Sequence, residues 1–393
     1  MDADRSGDPN FPRGLRIQPS SLHRSKKSAQ NHEPNGTQNG QAAAHDPSTA
    51  TNDAEAASWE QDTAEDIEYY GIAGRIWEAA YLLARYVRPA KQFADDLEFD
   101  PPCSLFDRSS SEPRTIVELG SGAGYGSLHL ARQLVQYAEA TSSKPPQARL
   151  VLTDLENVVP LMERNVARAG YQKASETIDV RVCSLAWGNS EHASNLLLEL
   201  SSHKAAANPL THILCSDLVY FPELLPPLLR SIISLSGYGL AHDECSSSEK
   251  MGPELIISYK IRSLTKEQPF WSALGSWFDF QAVDCRTFPR KGTSTDDESE
   301  TEWHRFGSQG QDYGASADSD QELFVFVGHR RKDTTGCLAP ESDADLMQGK
   351  RLRPRQASNE EGRHDGDYEL VSPSSREDYF EWLLLSNMGA GLG

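Results

Sequence analysis

The glycine-rich stretch TIVELGSGAGYGS, residues 115–127, constrains the fold of this chain more than any other segment. A short apolar run ends in alternating glycines, and a helical pattern with Leu128, Ala131 and Leu134 on one face follows. Glycines permit a bend with positive φ and let the backbone approach a ligand closely. The stretch therefore predicts the strand–turn–helix unit that opens a doubly wound α/β domain, although any tight turn between a strand and a helix remains an alternative.

The spacing of the acidic residue and the glycines separates two kinds of nucleotide site. A dinucleotide site requires G-x-G-x-x-G, and Tyr125 stands where its third glycine belongs. The pattern E-x-G-x-G resembles motif I of the seven-β-strand, S-adenosylmethionine-dependent methyltransferases. This resemblance implies that Glu118 and the glycines Gly120 and Gly122 hold the methionine part of that cofactor.

Composition limits how much of the chain forms a core. Only 38% of the 393 residues are hydrophobic, below the roughly 45–50% of globular domains, and the net charge is −20. The six cysteines include no C-x-x-C pair, so we expect neither a metal site nor a disulfide scaffold. No apolar run reaches the ~18 residues of a membrane span, and the start is no signal peptide. We expect a cytoplasmic protein, with the nucleus as a second compartment.

The chain divides into a domain between two polar tails. Residues 1–63 are predicted to be a disordered N-terminal tail, and residues 333–393 a largely disordered C-terminal tail with a short terminal helix. The domain spans residues 64–332 and contains an acidic loop insertion over 292–320. Its strands alternate with helices, which predicts a parallel sheet, except for the last two strands, which should pair as an antiparallel hairpin.

In such a sheet the ligand lies at the carboxyl ends of the strands. The second strand ends in Asp154, whose carboxylate is suited to accept hydrogen bonds from both ribose hydroxyls. Alternatively, Asp154 stabilises the start of the next helix through its charge. The third strand is followed by Trp187, which offers either a flat face for adenine or a core side chain.

The fourth strand runs into SDLVY, where the transferred methyl group should emerge. Ser216 is small and leaves space beside the adenosine. Asp217 and Tyr220 are three residues apart and are expected together at the mouth of the site. Asp217 would hold and orient a substrate ammonium and receive or relay its proton; its alternative role is to cap the following helix.

Four motifs in order resemble the methyltransferase-like protein-lysine methyltransferases, which include the valosin-containing-protein lysine methyltransferase and the fungal elongation-factor lysine methyltransferases. The motifs are GRIWEAAYLLARYV, VELGSGAGYGSLHLA, LTDLENVVPLMERNV and SDLVY. SLAWG also resembles the family's L-D-W-G, with Ala186 replacing the acid. The resemblance covers roughly residues 67–332. It implies a seven-stranded Rossmann-like sheet, S-adenosylmethionine as cofactor, and a protein substrate that bears the target lysine.

The resemblance also assigns the site residues. The catalytic residues would be Asp217 and Tyr220, with no metal. The cofactor-binding residues would be Trp77, Glu118, Gly120, Ser121, Gly122, Asp154, Trp187 and Ser216.

Two other functions remain open at this stage. One is methylation of a small molecule, a glutamine or a nucleic acid. Amide and base methyltransferases carry N-P-P-Y or D-P-P-Y at this strand end, and Leu218 and Val219 replace both prolines. Nucleic acid is further disfavoured by the acidic balance. The other is a silent methyltransferase-like binding module. We expect a monomer that binds neither nucleic acid nor membrane.

Overall fold

The computed structural model describes residues 8–12, 15–20, 58–89, 97–107, 113–140, 147–202, 210–237, 252–287, 302–313, 322–355, 368–373 and 380. Within these residues the helices are α1 (Ala64–Tyr70), α2 (Glu78–Tyr86), α3 (Tyr125–Ala140), α4 (Val159–Arg168), α5 (Ser190–Ser202), α6 (Leu225–Ser236), α7 (Leu264–Gly275) and α8 (Asp343–Met347). The strands are β1 (Leu97–Asp100), β2 (Arg114–Leu119), β3 (Ala148–Asp154), β4 (Ile178–Ser184), β5 (His212–Ser216), β6 (Glu254–Lys260), β7 (Phe278–Ala282), β8 (Asp284–Thr287), β9 (His304–Arg305), β10 (Leu323–Arg330), β11 (Arg351–Pro354) and β12 (Tyr368–Val371).

The main sheet has seven strands in the order β4-β3-β2-β5-β6-β10-β7. Strands β2 to β6 pair in parallel, and β10 runs antiparallel to both β6 and β7. The predicted seven-stranded doubly wound sheet is confirmed, including the antiparallel pairing of its last two strands. The order of the strands reverses between β2 and β5, which is where a ligand cleft forms in such sheets.

Helices cover both faces of the sheet, because its central strand is apolar on both sides. All six residues of β2 are buried. Ile116 packs in the cluster that contains α2, α3 and α4, and its neighbour Val117 packs in the cluster with α5, α6 and α7. This alternation follows from the two-residue period of a strand. The sequence did not predict α5 or α7, and α7 contains Pro269, which argues against a helix on pattern alone.

A second, three-stranded sheet has the order β1-β8-β9. The sequence predicts one strand over 278–285, but the chain leaves the main sheet at Val283, and β8 pairs with β1 instead. Part of the predicted acidic insertion also belongs to this sheet, as β9. For residues 302–313 the expectation of a solvated loop is therefore corrected: Phe306 is fully buried and its ring lies 4.8 Å from that of Phe99. The rest of the insertion lies outside the described residues.

Parts of the predicted N-terminal tail pack on the domain. The carboxylate of Asp62 accepts hydrogen bonds from the main-chain N–H of Ser20 at 3.0 Å and of Ile76 at 3.2 Å. The carbonyl of Asn10 accepts one from the N–H of Ile72 at 3.0 Å. Residues 8–12, 15–20 and 58–63 therefore differ from the expectation of disorder, because their polar groups satisfy backbone donors of the domain. The rest of residues 1–63 lies outside the described residues.

The predicted C-terminal tail contains α8 and the antiparallel pair β11–β12. Phe380 is 2% exposed, and its ring stacks on Trp271 with the centroids 4.9 Å apart. Most of the predicted terminal helix lies outside the described residues. Among the described helices, none combines the length and the apolar character that crossing a membrane requires.

We expect Phe380→Ala to lower the free energy of unfolding by about 3 kcal/mol, because it removes an aromatic ring from the core. Denaturant-induced unfolding would measure the change. Leu370→Ala is the control, because Leu370 is 48% exposed and should matter little. Equal stabilities of the Phe380 variant and the wild type would contradict a structural role for this part of the tail.

Candidate active site

One cavity of about 460 Å³ lies at the carboxyl ends of the parallel strands. Every residue that the sequence suggests for the site lines it. These residues are Trp77, Glu118, Gly120, Ser121, Gly122, Asp154, Trp187, Ser216, Asp217 and Tyr220. The nine of them that lie between Glu118 and Tyr220 are at or just after the ends of four strands and are brought to one hollow, as the strand-end argument predicts. Trp77, which the resemblance alone suggested, precedes α2 and lines the same hollow.

The glycine turn after β2 leaves no room for side chains. Gly120 has φ of 57°, and a Cβ there would lie 2.7 Å from the ring of Trp187. Gly122 has φ of 51°, and a Cβ there would lie 2.9 Å from the carbonyl oxygen of Ala73. Both the positive φ and the close neighbours require glycine. The turn therefore presents bare backbone to the cavity.

Asp154, at the end of β3, holds this turn in place. Its Oδ2 accepts a hydrogen bond from the N–H of Gly122 at 2.8 Å, and its Oδ1 accepts one from the N–H of Leu155 at 2.7 Å. Burial raises the pKa of Asp154 to about 6, although both hydrogen bonds favour the ionised form. A carboxylate has about four acceptor positions, so two remain for a ligand.

Ser121 connects β2 to β3 in the same region. Its N–H donates to the carbonyl of Thr153 at 2.9 Å, and its Oγ accepts from the N–H of Thr153 at 3.1 Å. Its hydroxyl also donates to the carbonyl of Glu118 at 3.3 Å. Ser121 therefore lines the cavity while its side chain fastens the strand ends together.

Glu118 is a buried acid at the base of the cavity, with an exposure of 1%. Burial raises its pKa to about 7, although Ser127 and Ser121 beside it favour the ionised form. Its Oε2 has no hydrogen-bond partner among the described residues. A buried carboxylate oxygen in this state is stabilised by a cationic ligand.

Two tryptophans form parts of the cavity wall. The indole N–H of Trp77 donates to the carbonyl of Ile72 at 3.0 Å, and the guanidinium of Arg75 lies 4.3 Å from its ring centroid. Trp187 follows β4, packs over Gly120 and is only partly buried. Trp187 thus packs against the apolar core and also lines the cavity.

Asp217 is held in an unusual backbone conformation by the end of β5. Its φ is 60°, and its N–H donates to the carbonyl of Ser258 at 2.9 Å. Its Oδ1 and Oδ2 accept hydrogen bonds from the two terminal nitrogens of Arg262, at 2.8 and 2.6 Å. Helix α6 begins only at Leu225, so the alternative role of Asp217 as its cap is wrong.

The carboxylate of Asp217 has no exposed surface, whereas the side chain of Arg262 is 26% exposed. A ligand that enters the cavity therefore meets the arginine of this ion pair before the carboxylate. Ser216 lies next to it, and the Oγ of Ser216 has no hydrogen-bond partner among the described residues. The sequence predicts that Asp217 lies at the mouth of the site, and the structure adds that a guanidinium covers its carboxylate.

Tyr220 faces the cavity with its ring 6.5 Å from that of Trp187. Burial is the main cause that raises its pKa above the usual value, and the charges of Asp154 and Asp217 add to it. The phenol therefore stays protonated near neutral pH. It can donate a hydrogen bond or present an apolar face, but it does not act as a base.

Several lining residues were not predicted from the sequence. Arg262 follows β6, the strand next to β5, so the rule that ligands lie at strand ends would have identified it. Asn10 and Leu15 line the cavity from the predicted N-terminal tail, and no sequence signal distinguished them from their polar surroundings.

Comparisons with known proteins identify the family of this chain. The sequence profile described as lysine methyltransferase matches residues 58–276. The protein-lysine N-methyltransferase EFM6 of Saccharomyces cerevisiae is 24% identical over 200 residues, which cover 50% of this chain and 68% of the yeast protein.

Solved structures are similar only at a low level. An O-methyltransferase family 2 protein from Planctomyces limnophilus, in complex with apigenin, has a TM-score of 0.26 and 12% identity over 54% of this chain and 47% of that chain. MNMC2 from Aquifex aeolicus has a TM-score of 0.27 and 11% identity over 44% of this chain and 50% of that chain. This chain thus covers about half the length of each, and these scores carry no argument about the site. The profile match, in contrast, spans more than half of the chain, and this protein therefore belongs to the lysine methyltransferase family.

Proposed function

We propose that this protein transfers the methyl group of S-adenosylmethionine to the side-chain amine of a lysine in a protein substrate. Membership of the lysine methyltransferase family supports the reaction, and the similarity to a yeast protein-lysine N-methyltransferase supports a protein substrate. The observation that carries the proposal is the cavity itself. In it meet a buried carboxylate with one oxygen that has no hydrogen-bond partner in the described part of the chain, a bare glycine turn and an acidic strand end.

The lining residues fit the chemical groups of the cofactor. Glu118 offers a partnerless oxygen for the ammonium of the methionine part, and the turn at Gly120 and Gly122 gives room for close approach. Asp154 keeps two acceptor positions for ribose hydroxyls. Trp187 offers a flat face for adenine, and Trp77 forms another part of the cavity wall. When bound, S-adenosylmethionine supplies a methyl group that its sulfonium has already activated.

The chain's own residues must then align a lysine and keep it neutral. An unperturbed lysine has a pKa of about 10.4, so it reaches the enzyme as an ammonium and must lose a proton before it attacks. A lone carboxylate would hold that proton by raising the lysine pKa. Because Arg262 pairs with both oxygens of Asp217, the charge beside the substrate amine is close to zero.

The pair can still orient the amine. Arg262 occupies two of the acceptor positions of Asp217, and the remaining positions can accept an N–H from the substrate once the exposed guanidinium moves aside. Tyr220, which stays protonated, supplies its ring face or hydroxyl next to the incoming side chain. We therefore assign Asp217 to orientation of the amine and Arg262 to compensation of its charge.

We propose a monomeric enzyme that acts in the cytoplasm, with the nucleus as a second compartment, on proteins rather than nucleic acid. The two basic segments of the sequence, residues 329–332 and 350–355, support the last point, because arginines in both make contacts within the fold. Arg330 is buried and donates to the carbonyl of Cys337 at 2.7 Å. Arg351 pairs with Asp333 at 2.9 Å, and Arg353 pairs with Glu369 at 2.6 Å. Phosphate binding needs an uncompensated basic face.

Cofactor affinity should fall as the pH decreases through about 7, the value to which burial raises the pKa of Glu118. A protonated carboxyl carries no charge for the ammonium, so its attraction for the cofactor is lost on the acidic side. Titration calorimetry with S-adenosylmethionine across this range would measure the change. Glu118→Gln should bind more weakly and show no step near this pH. A wild-type affinity that is constant through this range would contradict the assignment of Glu118.

Asp217→Asn should lower methyl transfer by about 10²-fold or more and leave cofactor binding intact, because it removes the charged acceptor that orients the amine. Transfer from labelled S-adenosylmethionine to proteins of a cell extract would measure the effect. Asp279→Asn is a matched control, because Asp279 also pairs with an arginine, Arg331 at 2.8 Å, but on the surface. Unchanged labelling by the Asp217 variant would remove Asp217 from the mechanism.

Arg262→Gln should shift the pH–rate profile towards higher pH, because the uncompensated Asp217 then holds the substrate lysine in its charged form. Arg262→Lys should restore part of the wild-type profile, since it returns the positive charge without the two-nitrogen geometry. The rate of labelling against pH would be compared for the three proteins. Three coincident profiles would show that Arg262 has only a structural role.

A further inference from the structure

Outside the cofactor cavity, three side chains of different chemistry meet where β8 and β9 approach the turn over Gly310–Tyr313. The Sγ of Cys285 lies 3.2 Å from the Nε2 of His304 and 3.8 Å from the Oδ1 of Asp312. The Nε2 of His304 lies 3.2 Å from the same Oδ1. His304 and Asp312 both come from the acidic insertion, for which the sequence predicts a loop.

The three groups are fixed by the fold rather than gathered at random on the surface. Cys285 is fully buried, and the side chains of Asp312 and His304 are 3% and 23% exposed. The second oxygen of Asp312 accepts hydrogen bonds from the N–H of Gly307 at 2.9 Å and of Gln309 at 3.2 Å. These two bonds turn the Oδ1 of Asp312 towards the sulfur and the imidazole.

The ring of His304 is oriented towards this pair. Its Nε2 lies 3.2 Å from both the sulfur of Cys285 and the Oδ1 of Asp312. A neutral imidazole binds a metal through one ring nitrogen, and Nε2 is the nitrogen that faces the other two side chains.

The three atoms that face one another are a sulfur, an imidazole nitrogen and a carboxylate oxygen. The Nε2 of His304 and the Oδ1 of Asp312 are satisfied either by a proton on Nε2 or by a metal ion between them. The sulfur of Cys285 lies within reach of the same ion. A cation satisfies all three atoms at once.

We propose that Cys285, His304 and Asp312 bind a zinc-class divalent metal ion. Thiolate, imidazole and carboxylate are the ligand types of Zn²⁺, with bonds of about 2.3, 2.0–2.1 and 2.0–2.2 Å. A tetrahedral ion with such bonds separates its ligand atoms by about 3.3–3.6 Å. The observed separations of 3.2, 3.2 and 3.8 Å bracket that range. On binding, the thiol proton of Cys285 leaves to solvent, and water takes the fourth position on the exposed side of His304.

The proposed metal site is structural and takes no part in methyl transfer, because none of its three ligands lines the cofactor cavity. The bound ion would join β8, β9 and the turn after β9. That turn rests on α2, since a Cβ on Gly307 would lie 2.9 Å from the side chain of Leu82. The other side of the same helix region carries Trp77 and Ala80 into the cavity wall.

The test uses the full chain after treatment with a chelator, to which Zn²⁺ or Co²⁺ alone is added. We expect one equivalent of Zn²⁺ to bind, and Co²⁺ to give both a tetrahedral visible spectrum and a thiolate-to-metal charge-transfer band. Cys285→Ser should abolish the charge-transfer band, and Asp312→Asn should weaken Zn²⁺ binding. Cys337→Ser is the matched control, because Cys337 is also buried but lies outside the cluster, and it should bind like the wild type.

Two results would overturn the proposal. The first is that the wild-type chain, shown to be folded by its circular dichroism, binds neither ion. The second is that the charge-transfer band persists in Cys285→Ser and vanishes in Cys337→Ser, which would place the metal elsewhere. The wild-type measurement decides the question even where a variant does not fold, and it is independent of methyl transfer.

Discussion

The hydrogen bond between the carboxylate of Asp154 and the N–H of Gly122 ties the end of β3 to the turn that follows β2. Together with the two bonds between Ser121 and Thr153, it fastens two neighbouring strand ends at fixed separation. The cavity is built from strand ends, so its shape depends on this connection. The same carboxylate is also the proposed ribose ligand. Asp154 can serve both purposes because a carboxylate has about four acceptor positions and the fold uses only two of them.

Two buried carboxylates in the cavity differ in the charge beside them, and this difference assigns their tasks. Glu118 lacks a cation among the described residues, and burial raises its pKa to about 7. It is therefore prepared for a ligand that brings a positive charge. Asp217 already forms an ion pair with Arg262, so a second positive group beside it would gain little electrostatic stabilisation. The site beside Asp217 therefore favours a neutral amine over an ammonium. The neutral form is the one that can accept a methyl group.

The site was predictable to the extent that it follows from topology. Nine of the ten residues inferred from the sequence line one cavity because a parallel sheet brings its strand ends to one edge whatever the loop lengths. The tenth, Trp77, precedes α2, and only the family resemblance suggested it. The covering of Asp217 was not predictable, because Arg262 reaches it from the neighbouring strand and only the register of β5 on β6 sets that distance. The contribution of Asn10 to the cavity wall was not predictable for another reason. Its contact with Ile72 is a backbone hydrogen bond, and hydrophobic pattern does not record such bonds.

The acidic insertion shows why composition is a poor guide to order within a loop. Composition gives the number of charged residues but not whether their charged groups make contacts within the fold. Asp312 is nearly inaccessible, and its carboxylate holds the turn through the N–H groups of Gly307 and Gln309. Phe306, fully buried against Phe99, supplies the apolar anchor. The pairing of β1, β8 and β9 joins segments almost two hundred residues apart, which no local period encodes. One buried aromatic ring and one hydrogen-bonded acid thus help to hold a polar segment in the fold, and a segment's mean polarity conceals both.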